Sequence, residues 1–128
     1  MVDVFQIAQH ADDLERAQKF YAMLLGSEPT AVFDPPGLLF FQIGRVRLLL
    51  EQNAASSLIY LRVDDVAQTV ERLLAAGVPV ISEPHVIFRH TDDRLGPAGT
   101  DEWMAFITDS EGNTVGLVSH APSADGAG

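Results

Sequence analysis

Residues Trp103–Val118 read WMAFITDSEGNTVGLV. Two apolar runs, Met104–Ile107 and Thr114–Val118, flank the polar segment Asp109-Ser110-Glu111-Gly112-Asn113. Strand formers on both sides of a short acidic stretch with a glycine predict a β-hairpin, and Gly112 suits a turn position of positive φ. The second run is expected to face inward. Its register therefore decides which side chains reach the interior.

An earlier copy of this pattern lies upstream. Phe40-Phe41-Gln42-Ile43 corresponds to Met104–Ile107, and Gly44 to the turn glycine Gly112. Asp12-Asp13-Leu14 recurs 52 positions later as Asp64-Asp65-Val66, and Gly26 matches Gly77 within one residue. The chain reads as an internal repeat. In the first copy, Val2–Gln9 is a strand. Asp12 caps a helix, with Glu15 placed to reach back as in a capping box. Leu14, Ala17, Phe20, Tyr21, Leu24 and Leu25 form its apolar face, and Gly26 stops it. Ala31–Phe33 is a strand, Asp34–Gly37 a turn, and Leu38–Ile43 with Val46–Glu51 a hairpin around Gly44-Arg45.

The second copy repeats the order. Leu58–Val63 is a strand, Asp64-Asp65 caps a helix carrying Val66, Val70, Leu73 and Leu74, and Gly77 ends it. Val78–Ile81 is a strand, Glu83-Pro84 a break, His85–His90 a further strand, and residues 91–102 a long loop, of the kind that serves as a lid or a mobile span. These elements predict an α+β fold of two βαβββ modules, residues 1–55 and 56–120, within a single domain of residues 1–120. Each helix covers one face of its sheet. The uncovered faces are expected to curve into a mixed sheet around a central cavity. Residues 121–128, APSADGAG, are expected to form a flexible tail.

Composition narrows the function classes. The chain has 128 residues, 47% of them hydrophobic, enough for the core of one domain and too many for a disordered chain. It has no cysteine, which removes disulfides and thiolate chemistry. The start, MVDVFQIAQH, shows no signal-peptide pattern. The most apolar stretch, Gly37–Leu50, is interrupted by Gly44, Arg45 and Arg47 and is too short to span a membrane. A cytoplasmic location is the default expectation. Lys plus Arg is 8 against 18 for Asp plus Glu, giving −10. That charge argues against nucleic-acid binding and suits solubility or a cationic partner.

Asp-Leu-Glu-Arg-Ala…Phe-Tyr…Leu-Gly in residues 13–26 and Asp-x-x-Gly-Asn in residues 109–113 resemble the vicinal oxygen chelate superfamily. That group includes glyoxalase I, methylmalonyl-CoA epimerase, extradiol dioxygenases, fosfomycin-resistance enzymes and bleomycin-binding proteins. The resemblance spans about residues 2–119 and implies the two-module fold. It also implies a divalent metal on inward His and Glu side chains, one from the first and one from the last strand of each module. Seven residues before Asp13 and Asp65 stand Gln6 and Leu58; four after Gly44 and Gly112 stand Leu48 and Gly116. Leu48, Leu58 and Gly116 have no donor and Gln6 is a weak neutral one, whereas transition metals favour imidazole, thiolate or carboxylate. The reading is therefore no metal and no cofactor.

Gln6, Leu48, Leu58 and Gly116 remain candidates to line a ligand site, and other residues join them. His10 stands at the pocket mouth or in the strand–helix loop. His85 and His90 fall on opposite faces of a strand unless it bulges. Of the two, His85 is the ligand candidate, against a structural role. His120 precedes the tail and is expected to be exposed. A metal set drawn from His85, His90, Asp101 and Glu102 would need an irregular loop to gather it. Tyr60 and Arg62 share strand parity with Leu58, and an inward Arg62 would hold a ligand carboxylate or pair with an acid. Trp103 is a pocket wall or a cap on the core. The expected function is metal-independent binding of a small molecule, as in the bleomycin-binding relatives. The alternative is a glyoxalase-like lyase or isomerase without a metal, Arg62 anchoring an anion and His85 or Tyr60 moving a proton. A metal enzyme with atypical ligands is the third reading. Relatives often form homodimers, an arrangement also open to this chain.

Overall fold

The computed structural model describes residues 2–124. The element order is β1 (Gln6–His10), α1 (Leu14–Leu25), β2 (Ala31–Phe33), β3 (Leu38–Ile43), β4 (Val46–Glu51), β5 (Ile59–Arg62), α2 (Val66–Ala75), β6 (Val80–His90), β7 (Thr100–Thr108) and β8 (Thr114–Pro122). It is an α+β fold of two βαβββ modules. The strand orders are β1-β4-β3-β2 and β5-β8-β7-β6, the same plan twice. In each sheet the first strand pairs in parallel with the last, and the other pairings are antiparallel. The chain groups into two compact units. One is the chain up to Ser57 together with Asp109–Asn113; the other is Leu58–Thr108 with the chain from Thr114 onward.

In the first unit, the pairings Leu39↔Leu50 and Phe41↔Leu48 set four large side chains on one face of the sheet. They pack with Ala11, Ala17 and Tyr21, all fully buried. Burying each large apolar side chain stabilises the fold by roughly 1.5–3 kcal/mol. The helix start differs from the expectation. Asp13, not Asp12, is the N-cap of α1, its side chain accepting from the Arg16 N–H. Glu15 does not complete a capping box. The Asp13 N–H donates instead to Glu111 Oε1 at 2.8 Å, so the acceptor comes from a residue 98 positions away.

The same segment supplies most of the polar bonds of this unit. The Arg16 side chain donates to Glu111 at 2.7 and 3.0 Å. Buried Tyr21 donates its hydroxyl to Asp109 Oδ2 at 2.5 Å. Asp109 also accepts from the Glu111 and Asn113 N–H groups and the Asn113 side-chain amide, each at 2.8 Å. Burial pushes the Tyr21 hydroxyl up, and the Asp109 bond raises it further.

In the second unit α2 packs on β6, β7 and β8, burying Val66, Thr69, Val70 and Leu73. The Val66 N–H donates to Ser119 Oγ at 3.0 Å, which fixes the side of β8 that faces the helix. Asp65 caps α2, accepting from the Gln68 N–H at 3.1 Å.

Three further expectations change. Pro84 does not end a strand: β6 runs through it from Val80 to His90, with register shifts on both sides. Proline is tolerated there because β6 is the outer strand of its sheet. The loop after β6 is shorter than expected, since β7 begins at Thr100. The predicted tail is ordered at its start. β8 reaches Pro122, and Ser123 is buried, its N–H bound to Gly99 and its hydroxyl to Asp101. Residues 125–128 lie outside the described residues.

Candidate functional site

The face of the second sheet away from α2 is the most chemically varied surface of that unit. The pairings Tyr60↔Gly116, Arg62↔Val118, Phe106↔Gly116, Met104↔Val118 and Glu102↔His120 place these residues on it. β6 adds to it through its irregularity. His85 pairs with Met104, Phe88 with Glu102 and His90 with Thr100, all even-numbered partners on β7. A register shift between Val86 and Phe88 is what brings His85 and His90 to one side, the bulge that a shared face requires.

Gly116 is the floor of this face. A Cβ there would stand 2.6 Å from Tyr60 Cδ1 and 3.2 Å from Phe106 Cε1. The two rings meet edge to face at 5.9 Å. The residue must be glycine for Tyr60 to lie as it does. No positive φ explains it, because Gly116 has none.

At the far end of the same strands, three side chains converge. His90 Nε2 lies 2.9 Å and His120 Nε2 3.1 Å from the single oxygen Glu102 Oε1. The donor atoms of all three fall within 4.8 Å of one another. His90 is buried, at 2% exposure, and Glu102 and His120 are mostly covered. Two cavities open on the cluster. One, of about 290 Å³, is lined by Phe88, His90, Asp92, Arg94 and Leu95. The other, of about 260 Å³, is lined by Arg62, Val63, Asp64, Leu95, Gly96, Pro97 and His120. Leu95, Gly96 and Pro97 of this second cavity belong to the loop expected to be a lid or a mobile span.

A model of the Glyoxalase/Bleomycin resistance protein/Dioxygenase superfamily matches residues 4–117. The chain belongs to this superfamily. Solved structures agree with the fold of the superfamily. A lactoylglutathione lyase from Agrobacterium tumefaciens is 26% identical, with a TM-score of 0.69 over 93% of this chain and 94% of that one. A glyoxalase I variant from Zea mays is 18% identical, with a TM-score of 0.70 over 94% of this chain and 46% of that one. A virulence protein from Salmonella typhimurium is 17% identical, with a TM-score of 0.68 over 94% of this chain and 98% of that one. The last two bear on the fold alone. No curated protein matches the chain.

The positions that the superfamily resemblance implies for a divalent metal do not fit one. Gly116 has no donor and sits beneath the Tyr60 ring. Leu58 precedes β5 and is 47% exposed. Gln6 Oε1 is already bound by Arg47 Nε at 2.7 Å, and that guanidinium stacks on Phe5 and Phe40.

Leu48 lies on the opposite face, fully buried in the cluster beneath α1. The count of four from each turn glycine reaches the third residue of β4 and of β8, but these are not equivalent: Leu48 pairs with Ile7, six residues before Asp13, and Gly116 with Tyr60, five before Asp65. By pairing, Leu49 opposite Ala8 is the counterpart of Gly116 opposite Tyr60. Leu49 carries no donor either.

The other residues named from the sequence have definite places. His10 ends β1, its ring 2.7 Å from Asp12 Oδ1 and its carbonyl accepting from Asn113. His85 is exposed, its Nδ1 2.8 Å from the Glu83 carbonyl. Trp103 lies on the helix side of β7, opposite Ser119, and lines a cavity of about 280 Å³ with Asp64, Asp65, Ala67, Ser119, His120 and Ala121. Arg62 is exposed and forms no ion pair among the described residues. The sequence places His90 and Glu102 in one candidate metal set with His85 and Asp101, gathered by an irregular loop; the structure instead gathers His90 and Glu102 with His120, which the sequence suggests is exposed. The available signal was parity: residues 102 and 120 are opposite each other once the hairpin is continued outward from its turn.

Proposed function

We propose that this superfamily member binds a small molecule against the open face of the second sheet, without a metal at the positions implied by the resemblance. The carrying observation is the Gly116–Tyr60–Phe106 arrangement. A glycine where a ligand would be expected, roofed by an aromatic ring, is an apolar platform in place of a metal seat. Tyr60 is half exposed, so one part of its ring packs and another is free to contact a ligand. Arg62, two residues on along β5, offers a cation beside that platform. Tyr60, Arg62, His85 and Gly116 are the binding residues in this reading.

A second reading has its own observation. Arg62 and His120 line one cavity, which places an anion-binding cation near an imidazole able to move a proton. That pairing suits a lyase or isomerase of a small anionic substrate, and the 26%-identical structure is of a lactoylglutathione lyase.

Thermal shift against cationic antibiotics, glutathione adducts and CoA thioesters separates the readings. A ligand of the native state raises the melting temperature by mass action. The binding reading expects a shift that Tyr60→Ala abolishes, without turnover. Turnover of an anionic compound that Arg62→Ala impairs supports the enzyme. A shift unchanged in both variants removes this face from consideration.

A further inference from the structure

We infer that His90, Glu102 and His120 form a site for one divalent transition-metal ion, at a place in the sheet other than the one the superfamily resemblance implies. His120 lies four residues along β8 from Gly116, about 13 Å at the rise of a strand. Three adjacent strands each supply one donor, so the set rests on a rigid ladder and not on a loop.

The spacing fits coordination. With metal–ligand bonds of about 2.1 Å, neighbouring donors in an octahedral shell stand about 3.0 Å apart. The two imidazole-to-carboxylate separations are 2.9 and 3.1 Å. Both imidazoles address the cluster through Nε2, and both aim at the same carboxylate oxygen. A single ion in contact with all three would replace these two hydrogen bonds with three direct bonds.

A second observation is independent of the distances. Gly96 has an ordinary φ, so its backbone does not call for glycine. A Cβ on it would stand 2.8 Å from His90 Nε2 and 3.0 Å from His120 Nε2. Glycine at 96 lets the loop backbone close on the nitrogen edges of both rings, where a side chain would collide with them. The two cavities that open on His90 and His120 would admit water or an exogenous ligand to the remaining coordination positions. Two imidazoles and one carboxylate suit zinc, nickel, cobalt or iron(II) better than magnesium or calcium. This inference does not depend on the small-molecule reading above.

The test uses the whole chain without an affinity tag, stripped with chelator and titrated with Co²⁺ while its visible spectrum is recorded. One equivalent is expected to bind, to be displaced by Zn²⁺, and to raise the melting temperature. Glu102→Gln and His120→Gln should each weaken binding at least about 100-fold, since loss even of a group behind a ligand costs 10–100-fold. Circular dichroism verifies that each variant is folded. His120 is at the margin of the cluster, so His120→Gln carries the test if Glu102→Gln unfolds. The inference is overturned if folded wild-type protein takes up no Co²⁺ at sub-millimolar concentration, or if the folded variants bind it as tightly as wild type.

Discussion

The two modules share an element order and a strand order, yet they use their polar side chains differently. In the first unit the polar groups bind one another and the backbone. Tyr21 holds Asp109, Arg16 holds Glu111, Arg47 holds Gln6, and Asn113 joins the His10 carbonyl to Ser56. In the second, His90, Glu102, His120 and Arg62 gather on the open face or at cavity walls. Both modules meet what helix–sheet packing needs, which is apolar periodicity and caps. The face without a helix is under no such demand, and there the two modules differ in chemistry.

The largest effect expected from disturbing that contrast is at Asp109. Asp109→Ala strands four donors in a buried place and should cost about 3–5 kcal/mol in denaturant unfolding. A cost under about 1 kcal/mol would show that this network is not what holds the first unit. Glu111→Gln comes next, at about 2 kcal/mol near neutral pH. Burial alone would raise the Glu111 carboxyl. The Arg16 side chain, the Asp13 N–H and the Ser110 hydroxyl outweigh it and hold the group at about 2. A folded-state value below the unfolded one means stabilisation that is complete above the ordinary carboxylate range and lost as pH falls towards 2. The wild-type unfolding midpoint should therefore drop across that window more steeply than that of Glu111→Gln.

Effects in the second unit are smaller. Gly116→Ala should cost about 1–3 kcal/mol through collision with Tyr60, and the same change made in Tyr60→Ala should cost much less. Equal costs in both backgrounds would mean that the ring does not rest on the glycine. Smallest is Arg62→Ala, expected within about 0.5 kcal/mol for stability because the side chain is exposed and forms no ion pair among the described residues. Its effect belongs in anion binding, measured by calorimetry.

The fold was legible because its signals are local. Asp13 and Asp65, Gly26, and the alternation around Gly44 and Gly112 each act within a few residues. The site was less legible because it depends on register. Pro84 reads as a break in any strand, and only its position on an outer strand makes it compatible with β6. The bulges of β6 reverse the faces of His85 and His90 relative to simple alternation. Leu48 shows the same weakness: the same count from a turn glycine reaches opposite faces, because β4 and β8 pair with their parallel partners one residue out of step. His90, Glu102 and His120 are separated by 12 and 18 residues, and no local pattern ties them together.

Pro84 has a further consequence, for association between chains. β6 is the outer strand of its sheet, and such an edge is a template for another strand. Proline has no N–H to offer a newcomer, and each bulge shifts the spacing of the groups that remain. Pro84 and the bulges therefore interrupt the ladder that a second chain would add along the whole of β6, and Ile81, Val86, Ile87 and Phe88 are exposed apolar residues on the same strand.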